Sequence, residues 1–314
     1  MTGWATVGAF LVLSGLFMEA RAQPVSVTDD SGRRITLPQP ASRVVSLAPS
    51  LTEMAFAAGG GALLVGVAEH SDYPPAALDL PRIGDALSLQ LERILSLRPD
   101  LILAWQRGNN PRQLERLSEL GVPIYYSDID RLDEVASTLE RLGVLLNTPS
   151  EAAARNFRER LARLGHSGSS GSATAESGAA ASSGAPIGKE SPVKVLYQVW
   201  AQPLMTINGR HVITDLIERC GGVNVFAAEP LLVPQIGIEA AIAAAPEAII
   251  ASAGSRSLES DRSLEHWRRY SVIPAVAHGF LFLVDGDSIS RATPRMLDAG
   301  ETICSHLDKV RRSR

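Results

Sequence analysis

The chain of 314 residues carries 34 acidic against 30 basic side chains and a formal net charge of −4. Its length suits two domains that each bury a core, and its charge argues against a general nucleic-acid-binding protein, because no basic stripe precedes the last few residues. No nucleophile elbow, P-loop or zinc-protease motif occurs, so a hydrolase or metalloenzyme is the weaker interpretation: it would need a nucleophile–base pair or an open metal site.

Residues 1–22 are typical of a secretory signal peptide. The apolar run Ala9–Phe17 is too short to cross a bilayer, which takes roughly 20 apolar residues. The segment Ala20–Ala22 has small residues on either side of a larger one, as at a cleavage site. A membrane anchor is the alternative, although two charged residues interrupt the apolar run. We therefore expect a mature periplasmic protein that begins at Gln23.

Residues 23–148 alternate predicted strands and helices. The strands are rich in Val, Ile and Leu, which predicts a parallel sheet covered by helices on both faces. This is the first α/β lobe. Its predicted elements are strand Arg43–Ala48, helix Ser50–Ala58, strand Leu63–Ala68, helix Leu89–Leu97, strand Leu101–Trp105, helix Arg112–Leu120, strand Pro123–Ser127 and helix Leu132–Leu146.

A helix is predicted to carry the chain between the lobes over residues 149–165. Apolar residues recur at helical spacing from Glu151 to Leu164, and Pro149 with Ser150 is a favourable helix start. Lobes joined by a helix should move less than lobes joined by flexible strands. Residues 166–190 are almost entirely Ser, Gly and Ala, so we expect a disordered surface loop there.

The same alternation returns in residues 191–314, which form the second predicted lobe. Its elements are strand Val193–Trp200, helix Val212–Cys220, helix Ile238–Ala244, strand Ala248–Ala251, helix Leu264–Tyr270, strand Phe280–Val284 and helix Pro294–Arg312. The fold class is therefore α/β, with two open α/β lobes joined by a long helix and a ligand cleft between them.

An internal repeat indicates that the two lobes are related. Two segments of the first half return in the second half: Leu91–Leu103 as Ile238–Ile250, and Leu51–Met54 as Ile213–Leu216. In the longer repeat, Glu92 and Glu239 take equivalent positions. Each opens a short helix that a Pro-acid pair ends. Duplicated lobes around one cleft are typical of a binding protein.

The two cysteines, Cys220 and Cys304, both lie in the second half. An oxidising compartment favours a disulfide between them, and two separate buried thiols are the alternative. Neither has a nearby cysteine at the spacing of a zinc ligand pair, so no metal site is predicted.

Aromatic and polar residues follow several strands, where open α/β sheets bind ligands. Trp105 ends a strand and either packs in the core or lines the cleft, and Trp200 holds the comparable place in the second lobe. His70 follows another strand, where an exposed loop histidine is the simpler interpretation. The charged residues Asp287 and Arg291 precede the last helix.

Six motifs, in this order, resemble the periplasmic cobalamin-binding proteins of import transporters. The resemblance covers nearly the whole mature chain except residues 166–190. The motifs are Ser71–Pro75, Leu91–Ile94 with Arg98–Asp100, Ala104–Trp105 with Gly108–Asn109, Glu218–Gly222, Val233–Gln235 and Arg291–Arg295.

The resemblance implies two lobes on a rigid helix, a corrinoid held in the cleft, and delivery to an ATP-driven importer. It implies a monomer with no resident cofactor and no nucleic-acid partner. Glu92 and Glu239 match glutamates that dock onto arginines of the membrane permease, and Cys220 and Cys304 match the family disulfide. The implied ligand contacts are His70, Trp105, Asp287, Ser288, Ile289, Ser290 and Arg291. We add Tyr73, which belongs to the first motif, and Trp200, which lies at the comparable strand end of the second lobe.

Two departures from the family leave a second ligand class open. Ala86 and Val233 stand where family members carry cleft tryptophans, so two flat apolar walls are missing. Binding of haem or an iron siderophore is the alternative. The imidazole of His70, in place of a cobalamin-contacting tyrosine, is a suitable axial ligand for cobalt or iron.

Overall fold

The computed structural model describes residues 23–165, 191–254 and 261–314. The predicted signal peptide, residues 1–22, and the predicted Ser/Gly/Ala loop, residues 166–190, lie outside the described residues. In the described part of the chain, no helix is both long enough and apolar enough to cross a membrane.

A β-hairpin that the sequence analysis did not predict opens the described chain. Its strands, β1 (Val25–Thr28) and β2 (Arg34–Leu37), pair antiparallel. The Asp29 carboxylate closes the turn by accepting the Arg33 backbone N–H at 2.9 Å. The same carboxylate accepts the Tyr126 backbone N–H at 3.3 Å, which ties the hairpin to the first lobe.

The first lobe contains a four-stranded parallel sheet in the order β4-β3-β5-β6. Alternate residues of the strands enter separate apolar clusters on the two faces, so helices must cover both sides. The elements are β3 (Val44–Ser46), α1 (Pro49–Ala57), β4 (Leu64–Val67), α2 (Leu91–Ser96), β5 (Leu101–Trp105), α3 (Pro111–Glu119), β6 (Ile124–Ser127) and α4 (Asp133–Leu146), with 3-10 helices at Gly61–Leu63 and Pro75–Asp79.

The second lobe repeats this arrangement in the order β10-β7-β11-β12, again parallel. Its elements are β7 (Val193–Gln198), β8 (Trp200–Ala201), β9 (Leu204–Met205), α6 (Val212–Arg219), β10 (Gly222–Asn224), α7 (Ile238–Ala244), β11 (Ala248–Ala253), α8 (Pro274–Ala277), β12 (Leu281–Asp285), α9 (Gly286–Ile289) and α10 (Met296–Arg312). The two-lobed α/β fold class is confirmed.

Several predicted elements of the second lobe differ in detail. The strand predicted to reach Trp200 ends at Gln198, because the chain then turns into the β8–β9 hairpin. The helix predicted at Leu264–Tyr270 is a 3-10 helix, Glu265–Arg269. Strand β10 was not predicted, since three residues that include a glycine carry too little apolar alternation to be recognised.

The Pro-acid pairs of the repeat have the same structural role in both lobes. The residue before each proline, Arg98 or Ala245, is left-handed, with φ of 47° and 46°. The acid that follows reaches the start of the lobe's central strand: Asp100 accepts the Arg43 backbone N–H at 2.9 Å. Glu247 accepts the Lys194 N–H at 2.9 Å. These carboxylates fix the short α2 and α7 helices against the sheets.

Helix α5 (Glu151–Arg163) leads from the first lobe toward the second. One apolar cluster runs through both lobes and includes Phe157 and Leu161 of this helix. Close packing continues at Gly300 of α10, where an added Cβ would lie 3.2 Å from a methyl carbon of Leu164, the residue after α5. The lobes therefore share a packed core, which opposes large hinge motion.

Cys220 and Cys304 form a disulfide, as predicted, with their Cα atoms 4.6 Å apart. The bond joins the C-terminal end of α6 to the middle of α10. The alternative of two separate thiols is therefore wrong. The closed loop spans 84 residues of sequence separation, which restricts the unfolded chain.

Replacing both cysteines with alanine should lower the free energy of unfolding by about 4 kcal/mol, from loop-closure entropy in a chain of this separation. Urea unfolding of the oxidised protein and of the double variant measures the difference. A thiol titration of denatured, unreduced protein is the control. Two titratable thiols in protein purified without reductant would contradict the bond.

Candidate ligand-binding cleft

A cavity of about 310 Å³ lies between the two lobes. The start of α1 and the segments after β5 and β6 line it from the first lobe, and the start of α6 and the segment after α9 line it from the second. Carboxyl ends of parallel strands are the usual binding edge of such sheets. The apolar lining includes Leu51, Met54, Trp105, Ile129, Val212 and Leu232.

Trp105 lines this cavity with 44% of its surface exposed. Its ring lies over Gly108, where any Cβ would come within 1.8 Å of a ring carbon. The Asn109 side chain accepts the Trp105 backbone N–H at 2.8 Å and donates to the Leu47 carbonyl at 2.9 Å. The polar turn after β5 therefore holds this aromatic wall in place. Of the two interpretations of Trp105, the structure favours a place in the cleft.

The predicted second-lobe segment 287–291 divides between cleft and core. Ser290 and Arg291 line the cavity. Ile289 is fully buried in the shared core and Ser288 is 5% exposed, while Asp287 is partly exposed. The segment forms α9 because the Asp285 carboxylate caps it, accepting the Ser288 N–H at 3.1 Å.

Arg291 is also the centre of an ion-pair cluster across the lobe boundary. Its Nη1 lies 2.8 Å from Glu53 Oε1 and 2.8 Å from Asp72 Oδ1, and its Nη2 donates to the His70 carbonyl at 3.1 Å. Burial disfavours the charged form of Asp72. The hydrogen bond and charge of Arg291, with the charge of Arg295, outweigh burial and lower the pKa of Asp72. Arg291 is therefore bound by the carboxylates of both Glu53 and Asp72.

Glu53 is the most enclosed member of this cluster, at 3% exposure. Besides Arg291, it accepts hydrogen bonds from Thr293 Oγ1 at 3.0 Å and from Arg295 Nε and Nη2 at 3.0 and 2.6 Å. All three donor residues belong to the second lobe, whereas Glu53 lies on α1 of the first. No local sequence pattern predicts this cluster, since Glu53 and its partners are more than 200 residues apart.

A second carboxylate makes the reciprocal contact. Asp215 of α6 is 3% exposed and accepts Arg131 Nη2 at 2.7 Å and the Leu132 backbone N–H at 2.8 Å. In the internal repeat, Asp215 takes the position of Glu53. Each lobe thus supplies one buried acid that binds donors of the other lobe.

Besides residues 287–289, three more predicted ligand contacts lie outside the residues that line the main cavity. His70 is exposed, and its backbone has a left-handed conformation with φ of 62°. Tyr73 lies in a separate pocket, with the Arg295 guanidinium 3.8 Å above its ring. Trp200 is 63% exposed on β8 and donates its Nε1–H to the Gln202 carbonyl at 2.9 Å.

The cavity also contains polar residues that the sequence analysis did not select: Arg107, Asp130 and His211. Arg107 pairs with Asp130 and, at 3.2 Å, with Asp128. His211 was discoverable from the repeat, which aligns it with Pro49 at the start of α1. Both residues precede or begin the repeated helix, and both line the cavity.

The two predicted docking glutamates are exposed. Glu92 is the second residue of α2 and Glu239 is the second residue of α7.

Within residues 23–165, 191–254 and 261–314, no cluster of three or more His, Cys, Asp or Glu side chains could hold a metal ion.

Two parallel-sheet lobes with a cavity between their strand ends define a two-lobed ligand-binding protein. Residues 44–287 match the periplasmic binding protein family, and the chain belongs to that family. The vitamin B12-binding protein of Vibrio parahaemolyticus is 35% identical over 278 residues, which cover 88% of this chain and 93% of that protein. Its namesake in Yersinia pestis is 34% identical over 299 residues, covering 94% and 96%.

Solved structures agree on the fold. The crystal structure of the periplasmic vitamin B12 binding protein of Vibrio cholerae matches with a TM-score of 0.73 at 35% identity, covering 86% of this chain and 98% of that one. The periplasmic haem-binding protein of a Roseiflexus species matches with a TM-score of 0.66 at 21% identity, covering 86% and 99%. At that identity the second match shows a common fold alone.

Replacing Glu53 with alanine should lower the free energy of unfolding by about 3 kcal/mol, because it leaves Arg295 without its carboxylate and Arg291 with a weaker set of partners. Glu140→Ala is the matched control. It removes an exposed ion pair with Arg158 and should cost less than about 1 kcal/mol. Equal losses in urea unfolding would contradict a special role for the interlobe cluster.

Proposed function

We propose that this protein is a periplasmic solute-binding protein that captures cobalamin or a related corrinoid and delivers it to an ATP-driven importer. The observation that carries the proposal is the alignment, over most of both chains, with relatives named as vitamin B12-binding proteins at 34–36% identity. Residues 1–22 would direct the chain to the periplasm, where it would act as a monomer.

The cleft supports this ligand class through its mixture of surfaces. A corrinoid has a flat apolar ring system with a fringe of amides, so its site needs apolar walls and a few fixed polar groups. Trp105, Leu51 and Leu232 supply walls from both lobes, and Ser290 with Arg291 supplies polar groups. A corrinoid is larger than the enclosed volume, so part of it would lie in the open mouth of the cleft.

The predicted contacts outside the cavity remain proposals within this function. His70, Tyr73 and Trp200 would meet the parts of the ligand that extend beyond the enclosed volume. The backbone of His70 contacts Arg291, which places this residue next to one that lines the cavity. The remaining predicted contacts, Asp287 and its neighbours, would act mainly through Ser290 and Arg291.

The ligand class is tested by the visible spectrum of material that co-purifies from the periplasm, followed by calorimetric titration with cyanocobalamin and with hemin. We expect a corrinoid spectrum and saturable binding of cyanocobalamin. A haem spectrum with binding of hemin alone would replace the proposal with haem capture. In that case His70→Ala should shift the bands if its imidazole is the axial ligand.

Trp105→Ala should weaken cyanocobalamin binding by about 2 kcal/mol, or about 30-fold in Kd, because one aromatic wall of the cavity is lost. Leu120→Ala is the control, since Leu120 is similarly exposed at 45% but lies outside the cavity lining. Its Kd should match that of the wild type. An unchanged Kd for Trp105→Ala would mean that the ring does not contact the ligand.

For delivery, we propose that Glu92 and Glu239 bind arginines on the two permease subunits. Both side chains are exposed at equivalent places on the two lobes. Carboxylate–arginine contacts are charge-assisted and fix orientation as well as attract. The simpler alternative is that each acid only complements its helix N-terminus, which is worth a few tenths of a kcal/mol.

The double substitution Glu92→Ala and Glu239→Ala should leave the Kd for cyanocobalamin unchanged and abolish stimulation of the transporter ATPase in reconstituted vesicles. The matched control replaces Glu115 and Glu218, one exposed glutamate on a helix of each lobe. It removes the same charge from each lobe. If stimulation survives in the first variant, or is lost in both, this docking assignment is wrong.

A further inference from the structure

His211 has one ring nitrogen engaged by the backbone and one free to meet a ligand. It is the N-cap residue of α6, and its Nδ1 accepts the Ile213 backbone N–H at 3.2 Å. A nitrogen that accepts a hydrogen bond carries no proton, so the neutral ring must hold its proton on Nε2. The cap therefore sets the tautomer.

The surroundings of His211 keep the ring neutral. Burial in the cleft wall, and the positive charge of Arg107, lower the pKa of His211 to about 4, against an opposing effect of Asp130. In the described part of the chain, no hydrogen bond involves Nε2, and His211 lines the cavity between the lobes. A fixed N–H donor is therefore available at the wall of the cleft.

We propose that the Nε2–H of His211 donates a hydrogen bond to an amide carbonyl at the rim of the bound corrinoid, and that His211 is a specificity-determining residue of the cleft. This inference rests on the proposed function. The donor would favour a ligand with acceptor oxygens close to the ring. A purely apolar ligand edge has no atom that could accept this hydrogen bond.

The same geometry argues against His211 as an axial metal ligand. Ligation through Nε2 needs its lone pair, so the proton would have to move to Nδ1. Nδ1 would then no longer accept the Ile213 N–H, and α6 would lose its cap. Metal ligation, the role considered for His70, is therefore not expected of His211.

Two substitutions separate the cap from the donor. Asparagine is a favourable N-cap residue, so His211→Asn keeps an acceptor for the Ile213 N–H but is too short to present a donor to the cavity. His211→Gln reaches further and offers an amide N–H, but glutamine caps a helix poorly. If His211 were only a cap, affinity and thermal stability would change together in the two variants.

We expect wild-type protein to bind cyanocobalamin in calorimetry. His211→Asn should keep the wild-type Tm and raise the Kd about fivefold, the loss of one hydrogen bond. His211→Gln should have a lower Tm but a Kd nearer to that of the wild type.

An unchanged Kd in His211→Asn would overturn the inference without affecting the proposed function. A shift in the visible bands of bound ligand in His211→Asn would assign metal ligation instead. If the wild type binds no cyanocobalamin, the proposed function and this inference both fail.

Discussion

The buried carboxylate of Glu53 is the contact on which the geometry of the cleft depends. Glu53 is only 3% exposed. Burying a carboxylate to this degree is costly unless cations and hydrogen-bond donors replace the water that it loses. Four donor groups from three residues of the opposite lobe do so. Since all of them follow α9, they can reach Glu53 only while the lobes keep their present separation. Arg291 also lines the cavity, so the contact that joins the lobes shapes part of the binding surface.

Because Asp215 makes the reciprocal contact, two related clusters of ion pairs and hydrogen bonds join the lobes, one around each buried acid. Glu53 and Asp215 occupy the same place in the repeated helix, and each binds donors from the other lobe. These two polar clusters, together with the apolar cluster that runs through both lobes, restrict rotation of one lobe relative to the other. A cleft restricted in this way loses less conformational freedom when a ligand binds, which leaves more of the interaction energy for affinity.

Sequence periodicity predicted the regular elements well because each lobe buries both faces of its sheet, so strands read as apolar runs between helices. Most strand ends differ from prediction by a residue or two. The β1–β2 hairpin was missed because its short, half-exposed strands depend on the distant anchor between Asp29 and Tyr126. Trp105 was correctly marked as a residue at a strand end, since position after β5 is a local property. Glu53 was not, because only the folded chain brings its partners near. His211 was not, because its alignment with Pro49 in the repeat was not used to select cleft residues.

The internal repeat shows why an acid copied in both lobes is ambiguous until its surroundings are known. Duplication preserved three pairs of acids. Asp100 and Glu247 bind the backbone at the start of each lobe's central strand, and Glu53 and Asp215 join the lobes. Both pairs are accounted for by stability. Glu92 and Glu239 differ because their side chains are exposed on short helices, and the adjacent Pro-acid pairs already hold those helices in place. Stability therefore requires little of these two glutamates, which is the physical reason for proposing that they contact a partner.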